Sequence, residues 1–175
     1  MDAFAVLGLT PSLKLDGALL EQRYRDLQRQ LHPDKFVNAA PSVRRESLAR
    51  AVSVNEAYRL LRDEVSRAEL LLSRYPGHAP AEGAPDPAFL MEMMELREQL
   101  AEAKAGSDLA RVGQLATTVS GHKERASSDL ADSFQALESG LRDEAIRRAQ
   151  AALARLRYYR RFEEEVAAIE DAALR

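Results

Sequence analysis

The chain has 175 residues, of which 46% are hydrophobic and 30% charged, with a formal net charge of −3. That mixture suffices for one medium or two small packed domains and excludes disorder as the main state; its mild acidity gives no global reason to expect nucleic acid or an anionic membrane as partner. With no cysteine, disulfides, thiol catalysis and thiolate-held zinc or iron–sulfur clusters are excluded for this chain acting alone.

At the N-terminus, Asp2 stands where a signal peptide carries cations, and no apolar run approaches the roughly 20 residues of a membrane span. A cytoplasmic protein is expected. A short helix is predicted near residues 3–8, then one over about 17–31 with Asp16 as N-cap. Projection of the second helix puts Leu20, Tyr24, Leu27 and Leu31 on one stripe and Arg25 and Arg29 on the opposite, solvent side. Directly after it come His32, Pro33, Asp34 and Lys35. Pro33 fixes its own φ and discourages His32 from continuing the helix, so a polar corner is left beside a basic face.

Beyond a loop from His32 to Pro41, a helix is predicted over about 42–62, with Leu48, Ala51, Val54, Tyr58 and Leu61 at three- and four-residue steps. Another follows over about 64–74. The stretch from Tyr75 to Pro87 holds four prolines and two glycines, which no helix interior tolerates. It is read as a boundary between an N-terminal domain of residues 1–75 and a C-terminal domain of 88–175, joined by a linker over 76–87. Residues 1–76 carry twelve Lys and Arg against ten Asp and Glu, the remainder thirteen against eighteen, so the second half is the acidic one.

Gly106 and Gly140 divide the C-terminal half into helices of about 88–105, 107–138 and 141–174. Leu109, Val112, Ala116, Val119, Ala126, Leu130 and Leu137 mark the middle one; Ile146, Ala149, Leu153, Leu156, Val166 and Ile169 mark the last. The near-heptad spacing predicts an antiparallel three-helix bundle. The first of these helices has two faces. Phe89, Met93, Leu96, Leu100 and Ala103 form an ordinary core stripe, whereas Leu90, Met91, Met94, Glu95, Glu98 and Glu102 lie across the other side. A bundle helix has no folding reason to put Leu90, Met91 and Met94 outside, so this face reads as a partner-binding patch in which flexible methionines fit the partner and acids add charge specificity. Packing beneath another part of the chain is the alternative.

The His32, Pro33, Asp34 turn after a basic helix, together with Val54-Asn55-Glu56-Ala57-Tyr58-Arg59-Leu60-Leu61-Arg62-Asp63 and Arg67-Ala68, resembles the J-domain family over about residues 1–75. The resemblance implies docking on an ATPase chaperone of the DnaK/HscA class and stimulation of its ATP hydrolysis. By position, His32, Pro33 and Asp34 would be the triggering residues, with Arg25, Arg29 and Lys35 supplying charge. Leu31, where an aromatic often precedes the turn, and Asp26, which interrupts the basic helix, depart from the usual pattern. Phe89 to Leu100 after a J-domain and a proline-rich linker, with Lys35-Phe36 completing the turn, is similar to the HscB family of iron–sulfur cluster assembly. That similarity implies that the C-terminal domain binds an IscU-type scaffold protein through Leu90, Met91, Met94, Glu95, Glu98, Glu102 and Tyr158. Met94 and Tyr158 replace a usual leucine and phenylalanine.

An all-α co-chaperone without cofactor, bound metal or enzyme activity of its own is therefore expected, a monomer by default. His78 is read as linker and His122 as a seam or surface residue, too scattered with His32 for an acid–base or metal site. A J-protein for a different client and a purely structural helical adaptor remain as alternatives.

Overall fold

The computed structural model describes residues 2–75, 86–140 and 142–174. Among these residues there are seven α-helices, one 3₁₀ turn and no strand. The chain divides into two compact units, Met1–Pro76 and Gly77–Arg175.

In the first unit, α1 (Ala3–Leu7) begins at Asp2, whose carboxylate accepts from the N–H groups of Phe4 and Ala5. It ends where Gly8, at φ 64°, donates to Ala5 while Leu9 donates to the Phe4 carbonyl. This paired closure requires a left-handed residue, which glycine adopts without a Cβ clash. Helix α2 (Gly17–Gln30) is capped by Asp16, as its sequence position predicted. Helix α3 (Pro41–Arg62) runs antiparallel to it: Tyr58 bonds Glu21, Asn55 accepts from Tyr24 and Gln28, and the Ser47 hydroxyl donates to the Leu31 carbonyl. Helix α4 (Glu64–Leu72) folds back with Asp63 as cap.

Phe4, Leu7, Leu20, Val54, Ala57, Leu61, Ala68 and Leu72 form this unit's core. Leu48 does not join it and is 64% exposed. Two successive three-residue steps, from Leu48 to Ala51 to Val54, each fall about 60° short of a full turn. They carry Leu48 roughly 120° off the stripe, and the buried residue at that level is Ser47.

In the second unit, α5 (Pro87–Ala105), α6 (Leu109–Glu138) and α7 (Arg142–Ala173) form an antiparallel up-down-up bundle. Pro87, placed in the linker by its sequence, opens α5 as its first residue with Asp86 as cap, the position where a missing N–H costs nothing. The rest of the expected linker, His78 included, lies outside the described residues. The left-handed residue that closes α5 is Ser107, at φ 53°, and not Gly106. Ser107 donates to the Lys104 carbonyl and Asp108 to that of Ala103. Asp108 then caps α6. The core takes Val112, Val119, Ala126, Leu130, Leu137, Ile146, Ala149, Leu153, Leu156 and Val166 from the expected seams, and Leu115, Phe134, Tyr159 and Phe162 besides. Leu109 is 48% exposed because it is the first residue of α6, at an end of the bundle. Ile169 is half-buried near the other terminus of its helix.

Candidate functional site

The first candidate surface is the corner after α2. His32 turns the chain out of the helix, and Pro33–Phe36 form a 3₁₀ turn that starts on the proline. The His32 carbonyl accepts from the Lys35 N–H at 3.0 Å. Its Nδ1 lies 3.4 Å from both the Asp34 N–H nitrogen and the Asp34 carboxylate. Neutral imidazole therefore accepts weakly from the backbone at Nδ1, while the protonated ring would face the carboxylate instead. Both side chains are open to solvent, 59% for His32 and 85% for Asp34. Pro33 and Lys35 are exposed as well. The turn is a presented group, not a pocket.

Arg25 and Arg29 point into water on the outer face of α2, as projected, but neither is unpaired. Arg25 Nε donates to Glu21 Oε1 at 2.8 Å, and Arg29 donates to Asp26. Glu21 is committed twice, since its second oxygen accepts from the Tyr58 hydroxyl, and Tyr58 stacks on Tyr24 with ring centroids 4.0 Å apart. The Tyr58 hydrogen bond, followed by that of Arg25, holds the Glu21 carboxyl below its ordinary range; the same bond raises the Tyr58 phenol. Asp26, which looks in the sequence like an interruption of the basic face, is the anion that holds Arg29 in place. Exchanging such exposed i,i+3 and i,i+4 pairs for a partner's acids costs little.

The second surface is on α5. Phe89, Met93, Leu96, Leu100 and Ala103 are buried, and the opposite face is open: Met91 is 64% and Met94 71% exposed. Glu95, Glu98 and Glu102 are exposed, with no ion pair among the described residues. Leu90 is half-buried. Tyr158 on α7 is half-buried too, its ring edge-on to Phe89 at 5.5 Å. It thus lies where α7 meets α5, with part of its surface open to solvent.

Sequence reasoning missed a half-buried polar cluster at the seam between the helices of the bundle. His122 on α6 meets Glu92 on α5 at 2.9 Å and turns its ring toward Tyr159. Phe89, His122, Arg155 and Tyr159 line a cavity of about 340 Å³, and burial raises the Tyr159 phenol. Cross-helix register places these residues together, and no spacing within one helix reveals it. Among the described residues no group of three or more His, Cys, Asp or Glu is arranged to hold a metal ion.

Comparison with known proteins matches residues 2–70 to the DnaJ domain and residues 85–167 to the HSCB C-terminal oligomerisation domain. The chain is 33% identical over 173 residues to a co-chaperone protein HscB homolog of Vibrio vulnificus, covering 98% of each, and 34% identical over 173 residues to that of Vibrio atlanticus. Among solved structures it resembles chaperone HscB from Vibrio cholerae at TM-score 0.82 and 32% identity, covering 98% of this chain and 99% of that one. It also resembles human co-chaperone protein HscB at TM-score 0.84 and 27% identity, covering 97% and 82%.

The chain belongs to the HscB family. It is a J-domain co-chaperone, a class that is not itself an enzyme family. In this HscB-family chain the exposed turn falls within the DnaJ match and the Met–Glu face of α5 within the HscB C-terminal match. None of the described helices is long and apolar enough to cross a membrane.

Proposed function

We propose that this protein binds an IscU-type iron–sulfur scaffold through α5 and the adjoining edge of α7, presents it to an HscA/DnaK-class chaperone, and stimulates that chaperone's ATPase through the His32, Pro33, Asp34 turn. The observation that carries this reading is the pair of presented surfaces on one HscB-family chain. One is a solvent-exposed His-Pro-Asp corner flanked by Arg25, Arg29 and Lys35; the other is an apolar and acidic helix face that its own bundle does not use.

On the chaperone side the arginines and Lys35 steer the J-domain toward an acidic surface, an attraction that weakens with salt. The turn then acts on the partner, and no bond is made or broken on this chain. On the client side Leu90, Met91, Met94 and Tyr158 supply apolar contact, and Glu95, Glu98 and Glu102 select a client with basic groups opposite them. The cluster stays with the scaffold, in keeping with a chain that has no cysteine. We take the monomer as the working state, which sedimentation velocity on the full chain checks. The separating experiment is His32→Gln: it is expected to abolish ATPase stimulation and leave scaffold binding intact. Retained stimulation would refute the role given to the turn.

A further inference from the structure

We infer that Arg161 on α7 belongs to the client-docking face and recognises an acidic group on the client; this rests on the client reading above and extends it. Helices α5 and α7 run parallel, with two rungs fixing their register. Phe89 meets Tyr158 and Tyr159 at one level, and Arg97 Nη2 meets Glu165 Oε1 at 2.8 Å about two turns further on. Arg161 lies between the rungs, three residues after Tyr158 and four before Glu165, level with the turn of α5 that separates Leu90 from Met94. At 100° per residue Tyr158, Arg161 and Glu165 fall within about 60° of one another. Tyr158 and Glu165 both touch α5, so Arg161 stands along the same edge.

Arg161 is exposed and makes no ion pair among the described residues. Glu165, its natural partner one turn on, is taken by Arg97, and Glu163 is taken by Lys123 across to α6. Arg157 and Arg160, by contrast, are engaged. Among the described residues the apolar patch of Leu90, Met94 and Tyr158 is thus bordered by unpaired acids on the outer side of α5 and by the unpaired Arg161 on the α7 side. A face of two signs fixes orientation, because a client docked the other way round would set like charges together. The surface it fits has an apolar centre, basic groups toward Glu95, Glu98 and Glu102, and a carboxylate over α7.

The test uses the full chain and an IscU-type scaffold, with dissociation constants measured by calorimetry at low and physiological salt. Arg161→Glu is expected to weaken binding by about tenfold and Arg161→Ala by roughly threefold, with both losses shrinking at higher salt and Arg161→Lys staying near wild type. Arg148→Glu makes the same charge change on the same helix about 20 Å away and is expected to leave the constant unchanged. Met94→Ala serves as the reference for the client face. If Arg161→Glu and Arg161→Ala bind as well as Arg148→Glu while Met94→Ala is weakened, the client face stands and the role of Arg161 is wrong. If the wild-type chain does not bind the scaffold, both are wrong.

Discussion

Replacing Met91 and Met94 together by alanine separates a docking surface from a structural one. In the free protein Met91 is 64% and Met94 71% exposed, so each keeps most of its apolar area in water. Complete burial of such a side chain is worth about 1.5–3 kcal/mol, and the exposed share scales this to about 1–2 kcal/mol each on docking. Losing both therefore costs about 2–4 kcal/mol, or about 30- to 700-fold in Kd. The folded bundle gains little from either residue, so its unfolding free energy should stay within about 0.5 kcal/mol of wild type. Calorimetry against an IscU-type scaffold, with urea unfolding alongside, measures both quantities. A Kd within twofold of wild type in a variant of unchanged stability would refute the assignment of this face, since the open methionines would then contact nothing in the complex.

Two further predictions concern the J-domain. Arg67 is half-buried and donates to the Leu13 carbonyl at 2.9 Å and the Leu61 carbonyl at 2.5 Å, tying the loop before α2 to the end of α3. Arg67→Met, which keeps the volume and strands both carbonyls, is expected to cost about 2–3 kcal/mol by urea unfolding at unchanged m-value; a loss under about 0.5 kcal/mol would contradict the staple. Glu21, with its carboxyl held below the ordinary value of 4.5 chiefly by the Tyr58 hydroxyl and then by Arg25, stabilises the fold fully above the unfolded carboxylate pKa. That contribution disappears as pH falls through the lower, folded pKa. Urea midpoints measured from neutral pH down through the acid range should therefore decline less steeply in Tyr58→Phe than in wild type, and equal slopes would show that the bond contributes nothing.

What the sequence discloses follows the periodicity of single helices. The Asp16 cap, the outward Arg25 and Arg29, and the division of α5 into a buried and an open face all depend on residues three or four apart in one helix. The structure places them as that spacing predicts. Leu48 misleads because hydrophobicity at three-residue steps resembles a stripe while rotating away from it. Leu109 misleads for another reason: it has the right phase but lies at the bundle's end. The bend at Ser107 is hidden behind the more obvious Gly106. His122 with Glu92, Arg97 with Glu165 and the edge-on packing of Tyr158 against Phe89 require the relative height of two helices, and loop residues set that height. The pairing of Arg29 with Asp26 follows the i,i+3 rule: the acid that breaks the basic run also orients the arginine it neutralises.

Whether one chain couples a scaffold to a chaperone's ATPase is read from steady-state ATP hydrolysis. The rate of an HscA-class chaperone is measured with this protein alone, with an IscU-type scaffold alone, and with both. The combined rate should exceed the sum of the separate stimulations, and the excess should vanish in both His32→Gln and the Met91→Ala, Met94→Ala double variant. A combined rate no greater than that sum would mean that the two surfaces act independently and that the chain does not couple them.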